Sequence, residues 1–277
     1  MTTIAALLQK AISTSGAGLS RVDAEFLLAH YLGKTRSWLY AHADQALATQ
    51  QCDDFNVLVQ RRKQGEPVAY ITGRRAFWSL DLIVTPDTLI PRPETELLVE
   101  LALSRLHPET PAEILDLGTG SGAIALAIAA ERPICKITAV DVSASAIAVA
   151  IDNANRLKLR NVTFEQGNWY SRLGGQCFDI IVSNPPYIED ADLHLGQGDL
   201  RFEPRTALVS GTDGLDDIRI IVPLAHRHLS PAGWLLIEHG WNQGEAVRGL
   251  FRCAEFLDIE TSKDLEQRDR VTFGRRS

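Results

Sequence analysis

The sequence lacks the features that mark secreted, zinc-binding or membrane-spanning proteins. Its four cysteines are scattered and form no Cys-x-x-Cys pair, which argues against a zinc site and fits reduced thiols in a cytoplasm. No apolar run approaches the roughly 18 residues of a membrane span. The first residues lack a charged start followed by a long apolar stretch, so we expect no signal peptide.

The chain also lacks the basic footprint of a nucleic-acid-binding protein. Its formal net charge is −7, whereas proteins whose main partner is nucleic acid are usually basic. Local basic clusters occur at residues 61–63, 74–75 and 275–276. Because charge runs are usually solvated surface, we interpret these clusters as helix and loop ends. We therefore expect neither a direct nucleic-acid partner nor a membrane.

The composition is that of a globular protein, with 277 residues of which 45% are hydrophobic and 23% charged. Residues 2 to about 70 are expected to be helical. Ser20 is placed to cap a helix over 21–32 that stops at Gly33, and a second helix is predicted over 49–64. A β-like segment follows at 76–84. The Ile90-Pro91-Arg92-Pro93 segment is predicted to be extended, with a helix over 94–106.

After Pro111 short apolar runs alternate with helical patterns. The runs are 114–117, 137–140, 162–164, 178–182 and 234–237, and the predicted helices are 123–130, 143–157, 215–229 and 243–254. This alternation predicts an α/β fold with a parallel, doubly wound sheet and helices on both faces. The last two runs, 255–261 and 270–274, are close together and predict an antiparallel pair.

A glycine-rich loop, Gly118-Thr119-Gly120-Ser121-Gly122, joins the first of these strands to a helix. Glycines permit a tight turn and a close approach of a ligand to the backbone, and a helix N-terminus attracts a negative group. The pattern alone also fits a dinucleotide site. Asp141, about 20 positions downstream, suits the ribose of either ligand. Asp116 favours S-adenosylmethionine, because its carboxylate can organise the loop or receive an ammonium group, which NAD lacks.

The segment Asn184-Pro185-Pro186-Tyr187 follows the fourth predicted strand, at the edge where ligands bind in open α/β sheets. An amide nitrogen carries two hydrogens, which the Asn184 side-chain carbonyl and the Pro185 main-chain carbonyl can accept. The two prolines fix these acceptors in place. As a methyl group arrives, the acceptor dipoles and the face of Tyr187 would stabilise positive charge on the nitrogen.

On these residues the chain resembles the HemK/PrmC family of protein-glutamine methyltransferases, which modify class-1 peptide chain release factors. The resemblance covers nearly the whole chain. Its motifs include Arg21-x-Asp23-Ala24-Glu25, Gly65-Glu66-Pro67, Phe77-Trp78, Ile90-Pro91-Arg92-Pro93-Glu94-Thr95-Glu96, Phe202-Glu203-Pro204 and Glu238-His239-Gly240, besides the glycine loop and the Asn184–Tyr187 segment. The last segment also occurs in DNA and RNA amino-methyltransferases, but its combination with residues 90–96 is specific.

The resemblance implies a seven-stranded class I (Rossmann-like) methyltransferase domain at 91–277. It would be preceded by a helical substrate-docking domain at 1–72 and a β-hairpin connector at 73–90. It also implies S-adenosylmethionine as the cofactor, no metal, and a cytoplasmic enzyme that acts as a monomer. Its substrate would be the glutamine of the Gly-Gly-Gln motif in class-1 release factors.

The same resemblance assigns roles to individual positions. Gly118, Thr119, Gly120, Ser121, Gly122, Asp141, Asn168, Trp169 and Asn184 are expected to bind the cofactor. Asn184, Pro185, Pro186 and Tyr187 are expected to hold the glutamine, with Asn184, Pro185 and Tyr187 taking part in catalysis. Trp169 would stack near the adenine. Asn168 stands where the family pattern leads us to expect an aspartate; its carbonyl can still accept a hydrogen bond, but without charge assistance.

Several interpretations remain open from the residues themselves. A nucleic-acid amino-methyltransferase would keep both motifs, a dinucleotide-dependent oxidoreductase would keep the glycine loop, and a non-catalytic binding module would use only the N-terminal helices. Arg92 could meet an acidic ligand group or form a structural clasp. His239 could line the pocket, although a local hydrogen bond with Glu238 is favoured.

Overall fold

The computed structural model describes residues 2–13 and 19–277. The chain forms two compact units, residues 1–74 with 194–202, and residues 75–193 with 203–277. Within the described ranges, no helix combines the length and apolar character that crossing a membrane requires.

The first unit is mainly helical, as its sequence predicts. Its helices are α1 Ile4–Ser13, α2 Arg21–Leu32, α3 Arg36–Ala41, α4 Thr49–Lys63 and α5 Val68–Thr72. The Ser20 side chain caps α2 by accepting from the Asp23 N–H at 3.0 Å, and Gly33 ends the helix with a φ of 62°. Both ends of α2 are therefore confirmed. The helical expectation also covers residues 14–18, which lie outside the described residues.

One feature of this unit departs from the all-helical expectation. Two short strands, β1 Thr2–Thr3 and β2 Ala46–Leu47, pair antiparallel. Neither is long enough to show the alternation by which a strand is recognised in a sequence. The apolar faces of the helices meet in one core, in which Leu27, Leu28 and Phe55 are fully buried.

A hairpin and a short helix precede the large sheet. The hairpin consists of β3 Arg74–Phe77 and β4 Leu80–Ile83. The helix predicted over 94–106 is shorter: it starts as a 3-10 turn, Pro93–Thr95, and continues as α6 Glu96–Leu103. Prolines fit the first turn of a helix because no intrahelical partner is needed there.

The sheet has seven strands, most of them as predicted. They are β5 Glu113–Leu117, β6 Lys136–Asp141, β7 Val162–Gln166, β8 Phe178–Ser183, β9 Leu229–Glu238, β10 Leu257–Lys263 and β11 Asp269–Arg275, in the order β10-β11-β9-β8-β5-β6-β7. Strands β5 to β9 pair parallel, and β11 pairs antiparallel with both β9 and β10. The fold is thus the expected Rossmann-like methyltransferase sheet.

Helices cover both faces of this sheet. They are α7 Ala123–Glu131, α8 Ala144–Leu157, α9 Asp216–Ala225 and α10 Gly244–Cys253; further 3-10 turns span Leu193–Gly196, Leu200–Phe202 and Arg205–Ala207. Successive residues of β5 supply opposite cores, because Ile114 packs with the α6 and α7 side and Leu115 with the α9 and α10 side. Helix α9 ends at Ala225, before the predicted 229, because β9 already begins at Leu229.

A buried carboxylate organises the first unit. The Glu25 side chain, only 2% exposed, accepts hydrogen bonds from Arg21 Nε at 2.9 Å, Arg36 Nη2 at 2.7 Å and the Tyr40 hydroxyl at 2.7 Å. Burial by itself would raise the pKa of Glu25, but the hydrogen bonds from Tyr40, Arg36 and Arg21 outweigh it and lower the pKa to about 2. The ionised form of Glu25 therefore stabilises the folded unit.

We expect Glu25→Gln to lower the free energy of unfolding by about 1–3 kcal/mol at neutral pH, because charge-assisted bonds become neutral ones. The folded pKa lies below the ordinary value of 4.5. The stabilisation should therefore be complete above about pH 5 and fade as the pH falls toward 2. Urea unfolding at several pH values measures this. The control is Asp53→Asn, the same carboxylate-to-carboxamide change at an exposed position of α4. A difference in unfolding free energy between wild type and Glu25→Gln that does not depend on pH would contradict the prediction.

Candidate active site

The carboxyl ends of β5 and β8 lie side by side at the centre of the sheet. Leu117 is paired with Ser183, and the Ser183 hydroxyl donates to the Leu117 carbonyl at 2.7 Å. The chain leaves β5 toward β6 on one side, whereas β8 lies on the other. Such a reversal of strand order opens the crevice in which ligands bind in doubly wound sheets. The glycine loop and the Asn184–Tyr187 segment therefore meet here.

Backbone geometry explains the glycines of the loop. Gly118, Gly120 and Gly122 all have positive φ values, of 75°, 56° and 84°. A Cβ on Gly118 would lie 3.5 Å from the Trp169 ring, which is an ordinary van der Waals contact, so only the backbone conformation requires glycine there. A Cβ on Gly122 would lie 2.9 Å from Leu126 Cδ1. Glycine is thus required by conformation at all three positions, and by packing at Gly122.

Asp116 organises the loop from beneath. Its carboxylate is fully buried, and Oδ2 accepts from the Thr119 hydroxyl at 2.7 Å and from the Ala125 N–H at 3.2 Å. Its other oxygen, Oδ1, is buried and has no hydrogen-bond partner among the described residues. Burial raises the pKa of Asp116 to about 7, against the opposing effect of the Thr119 bond. Two roles were predicted for Asp116, organising the loop and receiving an ammonium group, and the structure shows the first.

Asp141 ties the loop to the end of β6. Its Oδ2 accepts from the Gly120 N–H at 2.8 Å, and its Oδ1 accepts from the Ser143 N–H at 2.9 Å. Burial raises the pKa of this carboxyl, while the backbone donors lower it. Each oxygen keeps a second acceptor site. Asp141 can therefore hold the loop and still accept from a ligand hydroxyl.

A cavity of about 470 Å³ lies over these strand ends. Of the residues singled out from the sequence, it is lined by Gly118, Gly120, Asp141, Asn168, Trp169, Asn184 and Pro186. Thr119 and Ser121 are buried and Gly122 is the N-cap residue that precedes α7, so these three support the loop and do not line the cavity. Pro86, Asp87, Thr88 and Leu89, which the sequence had not singled out, form another part of the wall.

The Asn184–Tyr187 segment contributes to the cavity unevenly. Asn184 and Pro186 face it, whereas Pro185 and Tyr187 do not line it. The Asn184 side-chain Nδ2 donates to the Thr95 hydroxyl at 3.2 Å. The Tyr187 hydroxyl donates to Glu238 Oε1 at 3.3 Å, and burial raises the pKa of this phenol. The side chains at the two ends of the segment are thus held from outside the cavity.

Two supporting residues were not predicted. Asn153 of α8 is fully buried and bonds the Ile83 backbone in both directions, at 2.7 and 2.9 Å, and the Ser121 carbonyl at 3.0 Å. Its signal in the sequence is an asparagine on the apolar face of a helix. Gln243 donates to the Tyr187 carbonyl at 3.0 Å, and no local pattern marks it.

The two open interpretations of polar residues are resolved. Arg92 is ion-paired with the buried Glu203, which also accepts from the Ile90 N–H at 3.0 Å, so it forms the structural clasp. The favoured partner of His239 was wrong. The buried His239 ring bonds the Gly240 carbonyl at 2.9 Å and the Thr272 hydroxyl at 2.8 Å, because β11 places Thr272 beside it.

Known proteins match this chain over nearly its full length. Residues 5–73 match the PrmC N-terminal domain, and residues 94–199 match the methyltransferase small domain. The release factor glutamine methyltransferase of Xylella fastidiosa (strain Temecula1) is 56% identical over 93% of this chain and 94% of its own. That of Escherichia coli (strain K12) is 52% identical over 97% of each chain. This chain belongs to the release factor glutamine methyltransferase family.

Solved structures agree at the level of the fold. The 16S rRNA N2 G1207 methyltransferase of T. thermophilus, determined in complex with AdoMet and guanosine, aligns with a TM-score of 0.55 at 20% identity, over 74% of this chain and 50% of that chain. The likeness shows that this family member has a methyltransferase fold.

Two alanine substitutions separate the strain and packing effects in the loop. Gly120→Ala should cost about 1–2 kcal/mol of unfolding free energy, because only its left-handed backbone is strained. Gly122→Ala should cost about 2–4 kcal/mol, because the new Cβ also meets Leu126 and Ala150. Urea unfolding of both variants gives the comparison. Equal losses would show that the Leu126 contact does not constrain the loop.

Proposed function

We propose that this enzyme transfers a methyl group from S-adenosylmethionine to the side-chain amide nitrogen of a glutamine, the one in the Gly-Gly-Gln motif of class-1 peptide chain release factors. The observation that carries the proposal is the convergence of the glycine loop, Asp141 and Asn184 on one cavity in a chain 52–56% identical to release factor glutamine methyltransferases.

The residues present fit this cofactor. The Trp169 ring lines the cavity beside Gly118 and offers a face on which an adenine can stack, and Asp141 retains acceptor sites for ribose hydroxyls. Asn168, whose side chain is exposed at the cavity, can accept from the adenine amine. Bound S-adenosylmethionine would supply an electrophilic methyl group.

The chain's own residues then position the substrate amide. Asn184 commits its Nδ2 to Thr95, which leaves its carbonyl oxygen to accept one hydrogen of the substrate amide. The Pro185 carbonyl is the second proposed acceptor; because Pro185 does not line the cavity, this role rests on the sequence motif alone. When the nitrogen gains positive charge, these acceptor dipoles stabilise it most strongly, which lowers the barrier. No strong base is required, because a cationic amide nitrogen loses its proton readily.

The helical N-terminal unit is proposed to dock the protein substrate. It matches the PrmC N-terminal domain over residues 5–73. The cavity-lining residues all lie between Pro86 and Asp217 and outside residues 1–74. The unit thus matches the family model but supplies no residue to the cavity. Such a unit is suited to recognising a large protein substrate.

Asn184→Ala should lower kcat by ~10²–10³, because it removes one of two preorganised acceptors where charge develops. Cofactor binding should fall less, because the glycine loop, Asp141 and Trp169 remain. Single-turnover kinetics with a radiolabelled methyl donor and intact release factor measure the first effect, and calorimetry measures the second.

The substrate offers a matched control for that experiment. A release factor whose motif glutamine is replaced by glutamate should accept no methyl group, because a carboxylate presents no hydrogens to the two acceptors and is repelled by them. Near-normal turnover of Asn184→Ala, or methylation of the glutamate form, would contradict the mechanism. Transfer to DNA or RNA in place of protein would contradict the proposed substrate.

Deleting residues 1–72 tests the docking role. The truncated enzyme should bind S-adenosylmethionine with unchanged affinity, which also reports correct folding, and should methylate a short Gly-Gly-Gln peptide as well as the full chain does. Its kcat/KM for intact release factor should fall at least about tenfold, because uniform binding energy is lost. If both substrates are methylated as before, the N-terminal unit has no docking role.

A further inference from the structure

A buried carboxylate lies behind the Asn184–Tyr187 segment, outside the cavity. Glu238 is the last residue of β9 and is 1% exposed. Its Oε1 accepts from the Tyr187 hydroxyl at 3.3 Å. Its Oε2 is buried and has no hydrogen-bond partner among the residues that the structure describes. Burying a carboxylate in this way is costly, so its position calls for a reason beyond packing.

Thr95 connects this carboxylate with Asn184. The buried Thr95 hydroxyl oxygen accepts from Asn184 Nδ2 at 3.2 Å, so its own hydrogen must point elsewhere. The Thr95 hydroxyl is also one of the groups that stabilise the ionised form of Glu238. The Asn184 amide therefore donates to the Thr95 oxygen, and the Thr95 hydrogen is left to point toward the nearby Glu238 carboxylate.

We propose that Thr95 and Glu238 are positioning residues that fix which end of the Asn184 side-chain amide faces the methyl-accepting nitrogen. This inference rests on the proposed function. The NH₂ and carbonyl ends of an asparagine side chain are nearly equal in size, so packing cannot choose between them. Only a hydrogen-bond acceptor held in a fixed place can distinguish the two ends. In this proposal the Thr95 oxygen acts as that acceptor because its own hydrogen is directed toward the Glu238 carboxylate. The carbonyl oxygen of Asn184 is then left for the substrate.

The opposite orientation would prevent the reaction. An Asn184 NH₂ pointed at the substrate would place two donors against each other, and no acceptor would stabilise the developing positive charge. Protonation of Glu238 favours this wrong state, since a protonated carboxyl donates its own hydrogen bond and no longer requires one from Thr95.

Charged groups on neighbouring elements set the protonation of Glu238. Arg270 of β11 lies near it and is itself paired with Asp264 at 3.1 Å, while Glu94, before α6, repels it. Burial raises the pKa of Glu238 to about 7, although Thr95, Arg270 and Tyr187 act to lower it. Glu238 therefore changes charge near neutral pH.

The test uses the full-length enzyme, S-adenosylmethionine and intact release factor. Thr95→Val removes the hydroxyl at constant shape, Thr95→Ser restores it, and Glu238→Gln removes the charge. Thr163→Val, the same change at an exposed position of β7, is the control. Thr95→Val should lower kcat by about tenfold to a hundredfold, the effect expected of a misplaced reacting group, with little change in the cofactor KM. Thr95→Ser should recover most of the loss.

The pH profile distinguishes positioning from a merely structural role. The ratio of wild-type to Glu238→Gln kcat should be largest at about pH 8, where Glu238 is ionised, and should approach one below about pH 6. Asp116 titrates in the same range, but it is present in both enzymes and cancels in the ratio.

The possible outcomes separate this inference from the proposed function. An unimpaired Thr95→Val, a Thr95→Ser as slow as Thr95→Val, or a pH-independent Glu238→Gln ratio would each overturn the positioning role while the wild type remains active. If Thr95→Val does not fold, as judged by loss of cofactor binding, the Glu238→Gln pH ratio decides. A wild type unable to methylate release factor would overturn the proposed function and this inference together.

Discussion

The parallel pairing of β5 with β8 is the interaction on which the rest of the site depends. Register places Leu117 opposite Ser183, and the hydroxyl bond between them joins the two strand ends. Because a shift by one residue would turn every side chain to the other face of the sheet, this register fixes both the glycine loop and Asn184. The loop could not form the cavity alone, because Asn184 and Pro186, which follow β8, form another part of its wall.

Buried carboxylates hold this arrangement at two points. Asp116 lies beneath the loop and Glu238 behind the Asn184–Tyr187 segment, and burial raises the pKa of each to about 7. Each also has one oxygen without a hydrogen-bond partner among the described residues. A protein oriented only toward stability would replace such groups with apolar ones. Their presence here fits a site in which the direction of hydrogen bonds matters more than the energy of packing.

The fold could be read from the sequence because local patterns decide it. Alternating apolar runs and helical stripes gave the parallel sheet, and Ser20 and Gly33 marked both ends of α2. Contacts between distant parts of the chain could not be read in this way. The sequence suggested Glu238 as the partner of His239, but the pairing of β11 with β9 supplies Thr272. Likewise, the two-residue strands β1 and β2 are defined by their pairing with each other, and no local pattern marks either of them in the sequence.

Within the site, the residues that line the cavity were easier to predict than the residues that hold them in place. Gly118, Asp141 and Asn184 stood out by residue type and by position after a predicted strand, Trp169 stood out through the family resemblance, and all four line the cavity. Gln243 acts on the Tyr187 carbonyl from 56 positions away, so nothing in its neighbourhood reveals it. Residue roles that depend on a second element require the structure.

Asn153 has a consequence for protein engineering. One side-chain amide holds both the end of the hairpin, at Ile83, and the glycine loop, at Ser121. Because both bonds at Ile83 are to the backbone, a hairpin of different sequence can keep them, whereas a relative with a different residue at position 153 would need another group to hold both segments. Position 153 is therefore the residue to match when the hairpin is exchanged between relatives, although the hairpin and the glycine loop are far apart in the chain.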